Sequence, residues 1–96
     1  MPEAGRHRIL IVGLPPAQML DITGPLDVFT AANELSVAAG RPAPYAVGLA
    51  GPEAGPLPTT SGIALHAAHG VHDNSLTADT VLIAGGRGIQ VLLAGR

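Results

Sequence analysis

Ile9-Leu10-Ile11-Val12-Gly13-Leu14, followed past a double proline by Leu20-Asp21-Ile22-Thr23-Gly24-Pro25-Leu26-Asp27-Val28-Phe29, is the stretch on which the fold turns. A continuous β-branched and leucine run without polar alternation is the pattern of a strand buried on both faces, as in a parallel sheet covered by helices. Leu14-Pro15-Pro16 closes that run, because proline cannot donate to a strand ladder. Asp21 therefore stands just beyond the end of a buried strand. In open α/β sheets, ligands gather outside the carboxyl ends of the strands.

A helix is expected next. Leu26, Phe29, Ala32 and Leu35 recur at helical spacing, which leaves Asp27, Thr30 and Glu34 toward water, and Gly40 suits the position just past the helix end. Pro25 reads best as the first helical residue, with Thr23 or Gly24 as the cap. The other arrangement is a longer helix from near Gln18 that Pro25 would kink. Arg41-Pro42-Ala43-Pro44 is a linking turn, and Tyr45, Val47 and Leu49 alternate with small residues as a second strand. Gly51 to Pro58, with its prolines and glycines, reads as loop. Thr59 to His66 reads as short strand pieces around a turn, and His69 to Thr77 as polar and irregular. Asp79-Thr80-Val81-Leu82-Ile83-Ala84 is another fully buried strand pattern, closed by Gly85-Gly86. Ile89, Leu92 and Leu93 suggest the opening turns of a second helix. The order is α/β, with a parallel sheet and right-handed crossovers. Buried strands need cover on both faces, so residues 1–96 read as the N-terminal half of a larger domain, either a truncated reading frame or a partial chain.

Composition narrows the function classes. Of 96 residues, 47% are hydrophobic and only 12% charged, which excludes a disordered polar tail. With one Tyr, one Phe and no Trp, the core must be built from aliphatic residues. The net charge is −2, and Arg6-His7-Arg8 is too small a cluster for a nucleic-acid footprint. The chain has no cysteine, which excludes disulfides, thiolate metal sites and a cysteine nucleophile within these residues. No secretory signal and no membrane-length apolar run are present, so a cytoplasmic protein without membrane association is expected.

Three groups of residues invite chemistry. A carboxylate at Asp21 beside a nucleophile would share its proton, orient it or act as general acid or base. On spacing alone the stronger reading of Asp21 is a helix cap. Gly85-Gly86-Arg87-Gly88 lies between a strand and a helix, where backbone N–H groups stabilise an oxyanion or phosphate. It lacks the third glycine of the dinucleotide fingerprint, since Val91 stands there, and it lacks the lysine of a phosphate loop; the competing reading is a tight turn. His66, His69 and His72 are spaced by three, but Gly70 interrupts them, so they read as loop histidines, and no metal or cofactor is expected. Thr59, Thr60 and Ser61 have no nucleophile elbow and read as turn hydroxyls.

Taken together, Ile9 to Leu14, Leu20 to Pro25 with Asp27-Val28-Phe29, Leu57 to Ile63, and Asp79 to Gly88 resemble the N-terminal half of the ThiJ/PfpI superfamily, which has a class I glutamine amidotransferase-like fold. Order and spacing agree over nearly the whole chain. Within the superfamily the chain looks most like the sensor half of GlxA-type AraC-family transcriptional regulators, with isocyanide hydratase as the enzymatic relative. The resemblance implies a flavodoxin-like parallel sheet sandwich and a first helix running through Gly24-Pro25. It implies that Asp21 is the acid beside the superfamily's cysteine nucleophile, and that Asp21, Gly24, Gly85 and Gly86 line the ligand pocket. The nucleophile elbow and any helix-turn-helix are not in these residues. A small-molecule ligand, DNA contact only through an absent helix-turn-helix domain, and a homodimer in the complete protein are implied as well. The expected function is ligand sensing for a transcriptional regulator. The alternatives are a fragment of an isocyanide-hydratase-like or amidase-like cysteine enzyme, and a non-functional truncation product.

Overall fold

The computed structural model describes residues 5–85. Its elements are β1 (His7–Val12), α1 (Met19–Ala38), β2 (Tyr45–Gly51), β3 (Gly55–Leu57), β4 (Leu65–Ala67), β5 (His69–Gly70) and β6 (Thr80–Ile83). Four strands form one sheet in the order β5-β2-β1-β6, parallel throughout, and β3 and β4 form a separate antiparallel hairpin. The α/β class with a parallel sheet therefore stands.

β1 is the central strand because both its faces are apolar. Ile9 and Ile11 point toward α1 and join Ile22, Leu57, Ala67 and Ala84 in the larger core. Leu10 and Val12 point the other way and pack with Ala50, Leu76 and Ala78. One strand feeding two cores is what an unbroken aliphatic run achieves at the period of two residues per repeat.

Four sequence expectations need correction. The helix begins at Met19, with Gln18 in the N-cap position, and Pro25 lies inside it. Neither Thr23, Gly24 nor Asp21 is the cap. A proline in the second turn costs one backbone bond, and burial of Ile22 by the additional turn offsets part of that loss. The inward face is therefore shifted: Ile22, Phe29 and Asn33 face the sheet side, while Leu35 is 73% exposed. Gly51 to Pro58 is not all loop, since Gly55–Leu57 pairs with Leu65–Ala67. The polar stretch after His69 opens with a short parallel strand, β5, beside Ala50 and Gly51. The helix end matches expectation. Gly40 has φ +79°, and the N–H groups of Gly40 and Arg41 bond the carbonyls of Val37 and Ser36, the closing pattern that a left-handed glycine allows. The expected second helix, together with Gly86 to Gly88, falls outside the described residues.

Candidate functional site

The strand order defines where a site belongs. From β1 the chain moves by α1 to β2 on one side and on to β5, then returns across the sheet to β6 on the other side of β1. The crevice between the carboxyl ends of β1 and β6 is therefore a topological switch point, where open α/β sheets bind ligands.

Asp21 and Gly85 both reach that crevice. Gly13 leaves the sheet with its N–H bonded to the carbonyl of Ala50 at 2.9 Å, and α1 starts just beyond. Asp21 falls in the first helical turn, where the positive end of the helix dipole favours a negative charge. From the other side Ala84 continues the ladder past β6, its N–H bonding the carbonyl of Val12 at 2.9 Å, which carries Gly85 up beside the helix. A Cβ built on Gly85 would lie 3.4 Å from Oδ2 of Asp21. The two residues line an open cleft of about 440 Å³ with Leu20, Pro25, Leu82, Ile83 and Ala84. The Asp21 side chain is exposed and makes no hydrogen bond or ion pair with any described residue. A carboxylate without a partner, on an otherwise apolar rim, can accept a hydrogen bond or take up a proton from a bound molecule.

Of the other expected site residues, Gly24 lies further along α1 and does not line this cleft, and Gly86 lies outside the described residues. The sequence reading overlooked Leu20, Pro25 and Leu82. The signal for Pro25 was present, because it stands four residues after Asp21 and so shares its helix face.

A charged clamp lies at the opposite, amino end of the sheet. The Arg8 guanidinium donates to both oxygens of Asp79 at 3.2 Å and to Thr77 Oγ1 at 2.7 Å, and the Arg8 N–H also reaches Asp79 at 2.8 Å. The side-chain bond from Arg8, then its backbone N–H, hold the Asp79 carboxyl down at about 2. The Asp73 carboxyl is likewise lowered, by the hydroxyl and N–H of Ser75. These acids are used up in local bonds, which marks them as structural. A larger hollow of about 620 Å³ opens on the sheet face away from α1, beside Leu10, Gly48, His69 and Leu76. It sits on the flank of the strands rather than at their carboxyl ends, so its size does not outweigh the position of the Asp21 cleft. His66 lies on β4, His69 on β5 and His72 beyond it, and among the described residues no three metal-ligating side chains come together. No described helix is long and apolar enough to cross a membrane.

No protein family and no curated protein matches the chain.

Proposed function

We propose that these residues form the first part of a flavodoxin-like, ThiJ/PfpI-like domain that senses a small molecule for a GlxA-type transcriptional regulator. The supporting observation is the meeting of Asp21 and Gly85 at the switch point of a parallel sheet, with the carboxylate exposed and unpartnered toward the described residues. In this reading Asp21 accepts a hydrogen bond from the ligand, Gly85 gives the ligand room, and Leu20, Pro25 and Leu82 cover its apolar part. The ligand acts by preferring one conformation of the domain, which biases an attached DNA-binding domain. The same free carboxylate also fits a second reading, an isocyanide-hydratase-like or amidase-like enzyme in which Asp21 exchanges a proton with a nucleophile supplied by residues beyond this chain.

One experiment addresses both. The protein is screened by thermal shift against small amides, amines and isonitriles, and the compound is recovered afterwards. Joined to the residues that would supply the nucleophile, a sensor raises the melting temperature and returns the compound unchanged, whereas an enzyme consumes it. Ligand at about a hundred times its Kd adds about 2.7 kcal/mol to the folded state. That gain is expected to vanish in Asp21→Asn, and a gain that survives the substitution removes Asp21 from the site.

A further inference from the structure

We infer that Gly13 is a positioning residue for this site: the space left by its missing side chain lets Ile22 and Leu57 meet over the end of β1 and seat the first turn of α1 opposite Gly85. The inference rests on the functional reading above. A Cβ at Gly13 would stand 2.7 Å from Cδ2 of Leu57 and 2.9 Å from Cδ1 of Ile22, well inside the 3.5–4.0 Å at which carbon atoms attract. Gly13 is not among the glycines with positive φ, so space and not backbone conformation requires glycine here. Ile22 and Leu57 are each 1% exposed.

Three segments lock at this point. Gly13 is tied to the sheet through Ala50, Ile22 is the neighbour of Asp21 in α1, and Leu57 ends β3. The segment after Leu57 is bound to the approach to α1, since the Ala17 N–H bonds the carbonyl of Pro58 and the Thr60 N–H bonds that of Ala17. Displacing Ile22 from the sheet displaces Asp21 with it. The response is graded. Ile22 borders a hollow of about 240 Å³ beneath α1 and Leu57 borders one of about 420 Å³ on its other side, so a single added methyl is relieved when Ile22 Cδ1 turns toward the first and Leu57 Cδ2 toward the second. The branched side chain of valine is too large for that relief, and α1 must lift.

The test is the nuclear Overhauser contact between the β protons of Asp21 and the α protons of Gly85, recorded on the full chain. It is expected in the parent protein, weakened in Gly13→Ala and lost in Gly13→Val, while contacts between Ile9 and Val47 in the core persist. Asn33→Ala, which weakens the other end of α1, is expected to keep it. Combining Gly13→Val with Leu57→Ala and Ile22→Val removes about as many side-chain carbons as the valine adds, and is expected to restore the contact. A folded Gly13→Val that keeps the contact overturns the positioning role and leaves the functional reading standing. If Gly13→Val does not fold, the compensated variant decides, and its failure to fold or to show the contact overturns the inference. Absence of the contact in the parent protein removes the proposed site itself.

Discussion

Asn33 does the work of a missing strand. β5 reaches only the last residues of β2, so among the described residues the backbone of Tyr45 at the other end has no strand neighbour on that side. The Asn33 side chain accepts from the Tyr45 N–H and donates to the Tyr45 carbonyl, both at 2.9 Å, as a paired peptide would. Phe29, one turn earlier, lies edge-on against the Tyr45 ring at 4.9 Å between centroids. Helix and strand are thus pinned by one polar and one aromatic contact. Asn33→Ala leaves two backbone groups short of partners and is expected to cost about 1–3 kcal/mol, read as a lower urea midpoint. Asp21 is the contrasting case. Its side chain is exposed and bonded to nothing among the described residues, so Asp21→Asn is expected to shift stability by no more than about 0.5 kcal/mol. A polar residue that structure does not need is a better candidate for function than one that structure consumes.

At the scale of elements, α1 shows where sequence reading succeeds and where it fails. β1 and β6 were legible as strands because aliphatic runs bounded by proline and glycine admit few other states, and β2 because Tyr45, Val47 and Leu49 alternate with small residues; the full burial expected of β6 is not met, since Val81 and Ile83 are exposed. The start of α1 was not, because Pro25 satisfies the rule for a first helical residue and also tolerates the second turn once Ile22 is buried. Apolar residues lie on every side of the helix, with Leu20, Val28 and Leu35 exposed, so periodicity could not report which face turns inward. The hairpin of β3 and β4 was hidden by its composition: Gly55-Pro56-Leu57 has no strand propensity, and pairing with Leu65–Ala67 supplies what propensity lacks. Asp21 was legible as a strand-end acid, whereas its approach to Gly85 depends on a strand pairing that no local pattern encodes. Gly24 offers an element-scale test. A Cβ there would find only Leu20 Cδ1, at 4.0 Å, and the φ is not positive. Gly24→Ala is expected to raise stability by about 0.5–1 kcal/mol through helix propensity, measured by denaturant titration, and to leave ligand response intact because Gly24 does not line the cleft.

The clamp between Arg8 and Asp79 belongs to this scale too, since it joins the starts of β1 and β6. The folded Asp79 carboxyl sits at about 2, below an ordinary aspartate value of about 3.9. A depressed carboxyl stabilises the fold above its unfolded value and loses that contribution as the pH falls through its folded one. The melting temperature is therefore expected to drop between about pH 4 and pH 2. Asp79→Asn is expected to flatten that drop without abolishing it, because Asp73 is lowered in the same direction.

Across the whole molecule the two faces of the sheet are unequal. The α1 face holds the larger core, and the opposite face is covered by Leu76 and Ala78 over β1 and β2. Along β6 that cover stops. Register places Val81 beside Leu10 and Ile83 beside Val12 on the same face, yet Val81 is 53% and Ile83 59% exposed. Among the described residues β6 also has a partner on one side only, which leaves a row of backbone donors and acceptors beside two β-branched apolar side chains. Such a border is a template for pairing with another chain. The chain is therefore expected to associate as its concentration rises, seen as a growing sedimentation coefficient. Val81→Thr combined with Ile83→Thr keeps the β-branched shape while making the face polar. It is expected to suppress that association and to leave the melting temperature of the dilute protein nearly unchanged, because neither side chain contributes to the core. A doubly substituted chain that associates as before would place the contact elsewhere, on the exposed leucines and valines along the outer side of α1.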